Sequence, residues 1–150
     1  MIKIMIAEDQ QLIRESLKII LNSIEGLRVI SIVANGEEVL QQLENEKPDI
    51  ILMDIRMPVM DGVESTRVLK QRYPDVHVLM LTTFNDDEYV LKALAYGASG
   101  YILKGISLRE LKYSIETTVE GGSVLNPDVG AKMLRMIHCG KTVKQENQEH

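Results

Sequence analysis

Cysteine is nearly missing from this sequence. Cys139 is the single thiol in 150 residues, so neither an internal disulfide framework nor a four-thiolate zinc site can form, and a reducing, cytoplasmic setting is expected. Long apolar runs are missing too. Stretches such as Ile50 to Met53 fall far short of the about 18 residues a membrane span needs, and no membrane partner is expected. The apolar start, Met1 to Ala7, is too short for a secretory signal and leads straight into Glu8 and Asp9. An excess of basic charge is lacking as well. Seventeen Lys and Arg stand against 22 Asp and Glu, for a net charge of −5, which makes the chain a poor candidate for holding nucleic acid by bulk charge. No repeat of fixed period is present beyond an alternation of strand and helix patterns.

What is there reads as one domain with a tail. Apolar residues make up 45% of the chain and charged residues 26%, the balance of an ordinary globular protein. Residues 2–6 predict a strand, and residues 10–24 carry apolar side chains at Ile13, Leu17, Ile20, Leu21 and Ile24, the spacing of a helix with one buried stripe. Residues 28–33 predict a second strand. Asn35-Gly36 turns into a helix with Val39, Leu40 and Leu43 inward. Residues 49–54 predict a third strand, apolar throughout as a strand covered on both faces must be. The pattern repeats with a helix over 63–72, a strand over 76–82, a helix capped by Asn85 and ended by Gly97, and a short strand over 101–103. Ser107-Leu108-Arg109-Glu110 fits a capping box opening a fifth helix that ends at Gly121-Gly122. This is (βα)5, a doubly wound α/β fold with five parallel strands and helices on both faces.

In such sheets ligands bind at the carboxyl ends of the strands, where the strand order reverses. Glu8-Asp9, Asp54, Thr82-Thr83 and Lys104 stand at those ends. With the flavodoxin-like order 2-1-3-4-5 they surround one pocket. Three carboxylates would repel there without compensation, and a divalent cation together with the Lys104 ammonium would balance them. Oxygen-only ligands in small number suit Mg²⁺, or Mn²⁺ in its place. The same arrangement suits phosphoryl transfer onto a carboxylate, with Asp54 as the in-line nucleophile, Lys104 and the cation neutralising the phosphoryl oxygens, and the Thr82 hydroxyl donating to another. Taken singly, Asp54 is an ordinary strand-end aspartate, Thr82 a β-branched strand residue and Lys104 a solvated charge. Their joint placement favours the phosphoacceptor. His77 reads as a strand-end side chain, His138 and Cys139 lack further metal partners, and the methionines read as core filler.

Several linked motifs resemble the receiver domain of two-component response regulators. They are Ala7-Glu8-Asp9, the run Met53-Asp54-Ile55-Arg56-Met57-Pro58 with Gly62 beyond it, Leu81-Thr82-Thr83, and Gly97-Ala98 followed by Gly100-Tyr101-Ile102-Leu103-Lys104. The stretch from Glu8 to Glu15 and the segment after Gly122 are similar to the NarL/LuxR-type subfamily. The resemblance implies that a sensor histidine kinase phosphorylates Asp54. It implies that Asp9, Asp54 and the backbone carbonyl of Arg56 hold the metal, with Glu8 acting directly or through water. It also implies that Thr82 and Tyr101 relay the change as switch residues. Tyr101 is expected to swing inward and phosphorylation to promote a homodimer, either through the fourth helix with the strand-five and helix-five surface or through the first and fifth helices. No enzyme activity is implied beyond the domain's own phosphorylation and dephosphorylation.

There are departures. Gly105 follows Lys104 where many receivers have proline, Thr83 is bulkier than the usual alanine or glycine, and Arg56 and Phe84 flank the pocket. Residues 1–122 are thus expected to be the receiver. Residues 123–150 are expected to form a linker helix, over 126–138, and a polar tail. The subfamily's DNA-binding helix-turn-helix domain is expected beyond residue 150. The alternative is a stand-alone receiver acting by phosphorelay or protein contact. Other classes fit poorly. Glu8-Asp9-Gln10-Gln11 would repel the phosphate of a flavin, no Gly-x-Gly-x-x-Gly turn follows the first strand, and a haloacid-dehalogenase-type phosphatase needs an aspartate where Arg56 stands.

Overall fold

A computed structural model describes residues 1–83 and 87–122. Asn85, Phe84, His138, Cys139 and the helix expected over 126–138 lie outside the described residues.

Among the described residues ten elements alternate: β1 (Ile2–Ala7), α1 (Gln11–Asn22), β2 (Leu27–Val33), α2 (Gly36–Leu43), β3 (Ile50–Asp54), α3 (Gly62–Arg72), β4 (His77–Thr82), α4 (Asp87–Ala95), β5 (Gly100–Leu103) and α5 (Leu108–Val119). All strand pairs are parallel, and the order is β2-β1-β3-β4-β5. The strand order reverses between β1 and β3, whose ends therefore lie side by side. This is the flavodoxin-like fold that the alternating pattern predicts.

The pleat sends neighbouring side chains to opposite faces, and the two faces are built from different residues. On the α2-α3-α4 side, Met5, Ala7, Ile51, Met53, Val78, Met80 and Tyr101 pack with Val39, Leu69 and Val90. On the α1-α5 side, Ile4, Ile6, Ile50, Leu52, Leu79, Leu81 and Ile102 pack with Leu21, Leu111 and Ile115. The first face mixes unbranched methionine with a tyrosine, and the second is branched aliphatic throughout. Methionine's three torsions let a core adapt, whereas branched side chains hold one packing.

Local signals explain most helix boundaries. Asn35 accepts from the Glu38 N–H at 2.9 Å to start α2, and Asp61 does the same for Glu64 at 2.8 Å to start α3. Ser107 caps α5, accepting from the Glu110 N–H at 3.1 Å and donating its hydroxyl to the Glu110 carboxylate. The buried stripe of α1 is narrower than its periodicity suggests. Leu21 is buried, with Leu17 and Ile24 packed beside it, but Ile20 is 40% exposed. The contact with the sheet runs along Leu17, Leu21 and Ile24, and Ile20 falls to one side of it. Leu12 and Ile19 on the same helix are 78% and 72% exposed.

Candidate functional site

The strand ends bring chemistry together because β1 and β3 run side by side. The Glu8 N–H bonds to the Val33 carbonyl at 3.0 Å, prolonging the β1–β2 pairing by one step. That step carries the Glu8 side chain inside, fully buried, while Asp9 beyond it is exposed. Arg14 on α1 clasps this turn, its guanidinium donating to the Glu8 carbonyl at 2.7 Å and, at longer range, to that of Asp9. Asp54 is the last residue of β3 and is buried, and one carboxylate oxygen each of Glu8, Asp9 and Asp54 lies within 4.8 Å of the others.

An ammonium faces them. Lys104, just past β5, donates to Glu8 at 2.8 Å and to Asp54 at 3.1 Å. Its own N–H bonds to the Thr82 carbonyl at 2.7 Å, so the end of β4 sets its position. The charges are thus unequal. Burial pushes the Asp54 carboxyl up to about 6, and the neighbouring Glu8 charge adds to the rise. Burial also acts to raise Glu8, but the hydrogen bonds from Lys104 and the Gln10 N–H outweigh it and hold Glu8 below the usual carboxylate range. Asp9 is raised by desolvation and by Glu8. Burial would lower Lys104, yet its two carboxylate partners hold it above the usual lysine value. Hard oxygen donors with charge to spare are the donor set that fits Mg²⁺.

The loop from Ile55 to Asp61 is folded tightly over this site. A Cβ added at Gly62 would stand 2.1 Å from the Asp54 carbonyl oxygen, so only glycine lets α3 begin there. The Gly62 N–H bonds to the Ile55 carbonyl at 2.8 Å, and the Met60 carbonyl accepts from Gly36 at 2.8 Å, pinning the loop to α2. Val59 at its tip is left-handed, with φ of 69°, and 76% exposed. Arg56 reaches over α4, its guanidinium carbon 4.8 Å from the centre of the Tyr89 ring. A pocket of about 480 Å³ opens here, lined by Asp9, Ile55, Arg56, Met57, Pro58, Asp61 and Tyr89.

Of the residues singled out in the sequence, Glu8, Asp9, Asp54 and Lys104 meet in one cluster. Thr82 ends β4 beside them, buried, with its hydroxyl donating to the Thr83 carbonyl at 2.9 Å. Arg56 follows Asp54 by two residues and lines the same pocket as Asp9. Tyr101 stands a full pleat further back, opposite Met80, while Leu103 is opposite Thr82. Its ring is 3% exposed and already occupies the inward position that the switch reading assigns to one state. Sequence reasoning assigned no part to Arg14, although it lies in a quoted motif, and none to Tyr89. Arg14 is legible as a cation six residues past Glu8, one helical turn into α1. Tyr89 carried no signal, since its partner is distant in sequence.

Comparison with known proteins bears on the family and the fold. The profile of the family described as "Response regulator receiver domain" matches residues 4–116. The transcriptional regulatory protein LnrK of Bacillus subtilis (strain 168) is 44% identical over 148 residues, covering 99% of this chain and 67% of its own length. The transcriptional regulatory protein DegU of Brevibacillus brevis is 39% identical, covering 99% of this chain and 62% of its own length. The chain thus spans about two-thirds of the length of such relatives. Among solved structures, a two-component response regulator of the LuxR family from Aurantimonas sp. SI85-9A1 superposes with a TM-score of 0.81 at 28% identity, over 89% of this chain and 96% of the other.

Proposed function

Because the chain belongs to the response regulator receiver domain family, we propose that Asp54 is its phosphoacceptor, taking a phosphoryl group from a sensor histidine kinase. The observation that supports this most directly is the triangle of Lys104, Glu8 and Asp54. It presents one Asp54 carboxylate under an ammonium held in place by a second, fully buried carboxylate. The Asp54 oxygen attacks phosphorus as the P–N bond to the kinase histidine breaks and the imidazole departs. Lys104 accompanies the transferred group, exchanging a contact with the free carboxylate for one with a phosphoryl oxygen. Thr82 turns its hydroxyl from the Thr83 carbonyl toward another such oxygen. Asp9, Asp54 and the Arg56 carbonyl would hold Mg²⁺ or Mn²⁺, with Glu8 contributing directly or through water. The bound cation would offset the carboxylate charge and let a phosphoryl dianion approach. The chain's own phosphorylation and dephosphorylation are its only catalysis in this reading.

The consequence proposed is a population shift relayed by Thr82 and Tyr101 and read out as a homodimer. Exposed Leu12 and Ile19 on α1, with Leu108 and Tyr113 on α5, favour the face built by those two helices. Residues 1–122 act as the receiver and 123–150 as a linker. In the cytoplasm the output would be transcription, through a DNA-binding segment outside these 150 residues, in keeping with the names of the relatives. No helix among the described residues is long and apolar enough to cross a membrane.

The test is direct. With Mg²⁺ and a small acyl-phosphate donor, one phosphoryl group is expected on the wild type, labile in base. It should disappear on chelation and in Asp54→Asn. Equal labelling of Asp54→Asn would overturn the assignment.

A further inference from the structure

Beyond the acceptor itself, the turn that carries two of the three acids is held from one helical turn away. We propose that Arg14 is a positioning residue for the cation: by gripping the Glu8 and Asp9 carbonyls it keeps Asp9 turned toward Asp54, and so sets the affinity for Mg²⁺. The inference rests on the reading of Asp9 and Asp54 as cation ligands.

Two neighbouring acids in this turn face different surroundings. Glu8 is fully buried and fixed by its own bonds: its N–H to the Val33 carbonyl, one carboxylate oxygen to Lys104, and the other accepting from the Gln10 N–H at 3.0 Å. Asp9 is exposed, yet its carboxylate oxygen lies within 4.8 Å of those of Glu8 and Asp54. The Arg14 guanidinium is what grips its backbone. One nitrogen, Nη1, donates to the Glu8 carbonyl at 2.7 Å and to the Asp9 carbonyl at 3.4 Å. Those carbonyls belong to the two planar peptide units on either side of the Asp9 Cα. Holding both planes fixes the direction in which the Asp9 side chain leaves the backbone.

The start of α1 offers no substitute for this grip. α2, α3 and α5 begin under the side chains of Asn35, Asp61 and Ser107, whereas Gln10 makes no capping bond and the first turn of α1 holds no acid. Arg14 secures the turn with its main chain as well, its N–H closing on the Gln10 carbonyl at 2.9 Å. A guanidinium suits the place, being rigid, multiply donating and always charged. Charge and geometry, however, predict opposite effects. A fixed cation beside the acids repels Mg²⁺, so a residue acting by charge alone would weaken the metal, and its removal would tighten binding. A residue that orients a ligand strengthens the metal, commonly by about 10- to 100-fold. The sign of the change therefore separates the two.

The experiment measures Mn²⁺ binding to the unphosphorylated full chain from the EPR signal of the free ion, and Mg²⁺ binding by competition. Arg14→Met keeps the apolar stem and removes the donors, and it is expected to weaken both ions roughly 10-fold, the lower end of that range. Arg14→Lys, which keeps one donating group, should recover part of the loss, and it carries the comparison if urea denaturation finds Arg14→Met unfolded. Lys18→Met removes the same charge from an exposed position one turn further along α1, and should bind as tightly as wild type or slightly tighter. With an acyl-phosphate donor, Arg14→Met should need about 10-fold more Mg²⁺ for half-maximal labelling and approach the wild-type rate at saturation. Unchanged or tighter binding in both Arg14 variants would overturn the positioning role. So would a lower saturated rate with no change in the Mg²⁺ required. Wild-type affinity that persists in Asp9→Asn would instead overturn the reading of Asp9 as a ligand.

Discussion

Ile50, Ile51, Leu52 and Met53 are wholly buried and apolar, whereas Asp54, the next residue of the same strand, shares its surroundings with Glu8, Asp9 and Lys104. The contrast recurs in β1, where Ile4 to Ala7 give way to Glu8. Along Ile4 to Ala7, Ile50 to Met53 and Val78 to Leu81 every side chain packs against other apolar ones, and removing one leaves a hole. At the carboxyl end, buried charge is incompletely paired, and a loop is bent so that a branched residue takes a left-handed conformation. The body of the sheet supplies stability, and the strand ends consume some of it to keep a reactive carboxylate in place. Substitutions in the two regions should therefore change stability with opposite sign.

The largest effect is expected in the body of β3. Leu52→Ala removes a fully buried side chain from the branched face, where Ile4, Ile6, Leu79 and Leu81 have little torsional freedom to refill the space. A loss of about 3–5 kcal/mol in unfolding free energy is expected, at the upper part of the usual range for such truncations. Met53→Ala on the methionine-containing face should cost less, since Met5 and Met80 can shift toward the gap. Urea denaturation of both variants measures this. A greater loss in Met53→Ala would show that the two faces do not differ in the way their composition suggests.

The sign should reverse one residue later. The folded chain holds a proton on Asp54 with a pKa of about 6, against an ordinary value of 3.8. Above pH 6 the ionised carboxylate therefore costs the fold, and this cost disappears as pH falls from about 6 to 4, where the folded state binds the extra proton. Asp54→Asn removes the charge and keeps the shape. In chelator at pH 8 it is expected to stabilise the protein by about 1–2 kcal/mol, after allowing for relaxation and solvent screening. At pH 4 the gain should shrink toward zero. Mg²⁺ at pH 8 should stabilise the wild type more than the variant. A destabilised Asp54→Asn at pH 8 would mean that Lys104 fully compensates the acids, and the contrast between body and end would fail.

The same division governs what could be read from the sequence. The body of the sheet was legible because burial leaves a period: continuous apolar runs for β3 and β4, a three-to-four spacing for the helices, and cap residues such as Asn35 and Ser107 at their starts. The cluster of Glu8, Asp9, Asp54 and Lys104 was legible because each is a charged residue terminating an apolar run, and the topology brings those ends together. Ile20 was misplaced because periodicity does not tell how wide a contact the helix makes. The stack of Arg56 on Tyr89 lay beyond reach since nothing local in either segment requires the other. Asp61 as the cap of α3 was hidden inside a loop whose path depends on Gly62 meeting the Asp54 carbonyl.

Val59 lay beyond reach for a sharper reason, and it gives the smallest predicted effect. A β-branched residue in a loop argues for extended backbone, yet Val59 has φ of 69°. Its neighbours impose this. The Met60 N–H bonds to the Pro58 carbonyl at 2.7 Å, and the Met60 carbonyl is held by Gly36, so the chain has to reverse at Val59 to reach both. Left-handed backbone strains a residue of this kind by roughly 1–3 kcal/mol. The side chain is 76% exposed, so little packing offsets the strain. Asparagine tolerates this conformation far better. Val59→Asn is expected to stabilise the protein by about 0.5–1.5 kcal/mol, with Val59→Gly gaining less because glycine loses more chain entropy on folding. Chemical denaturation of both variants gives the ordering, and phosphoryl labelling should persist in each because the loop path is unchanged. A destabilised Val59→Asn would show that the exposed valine earns its place through contacts rather than tolerating strain, and the loop would then belong with the body of the sheet rather than with its reactive end.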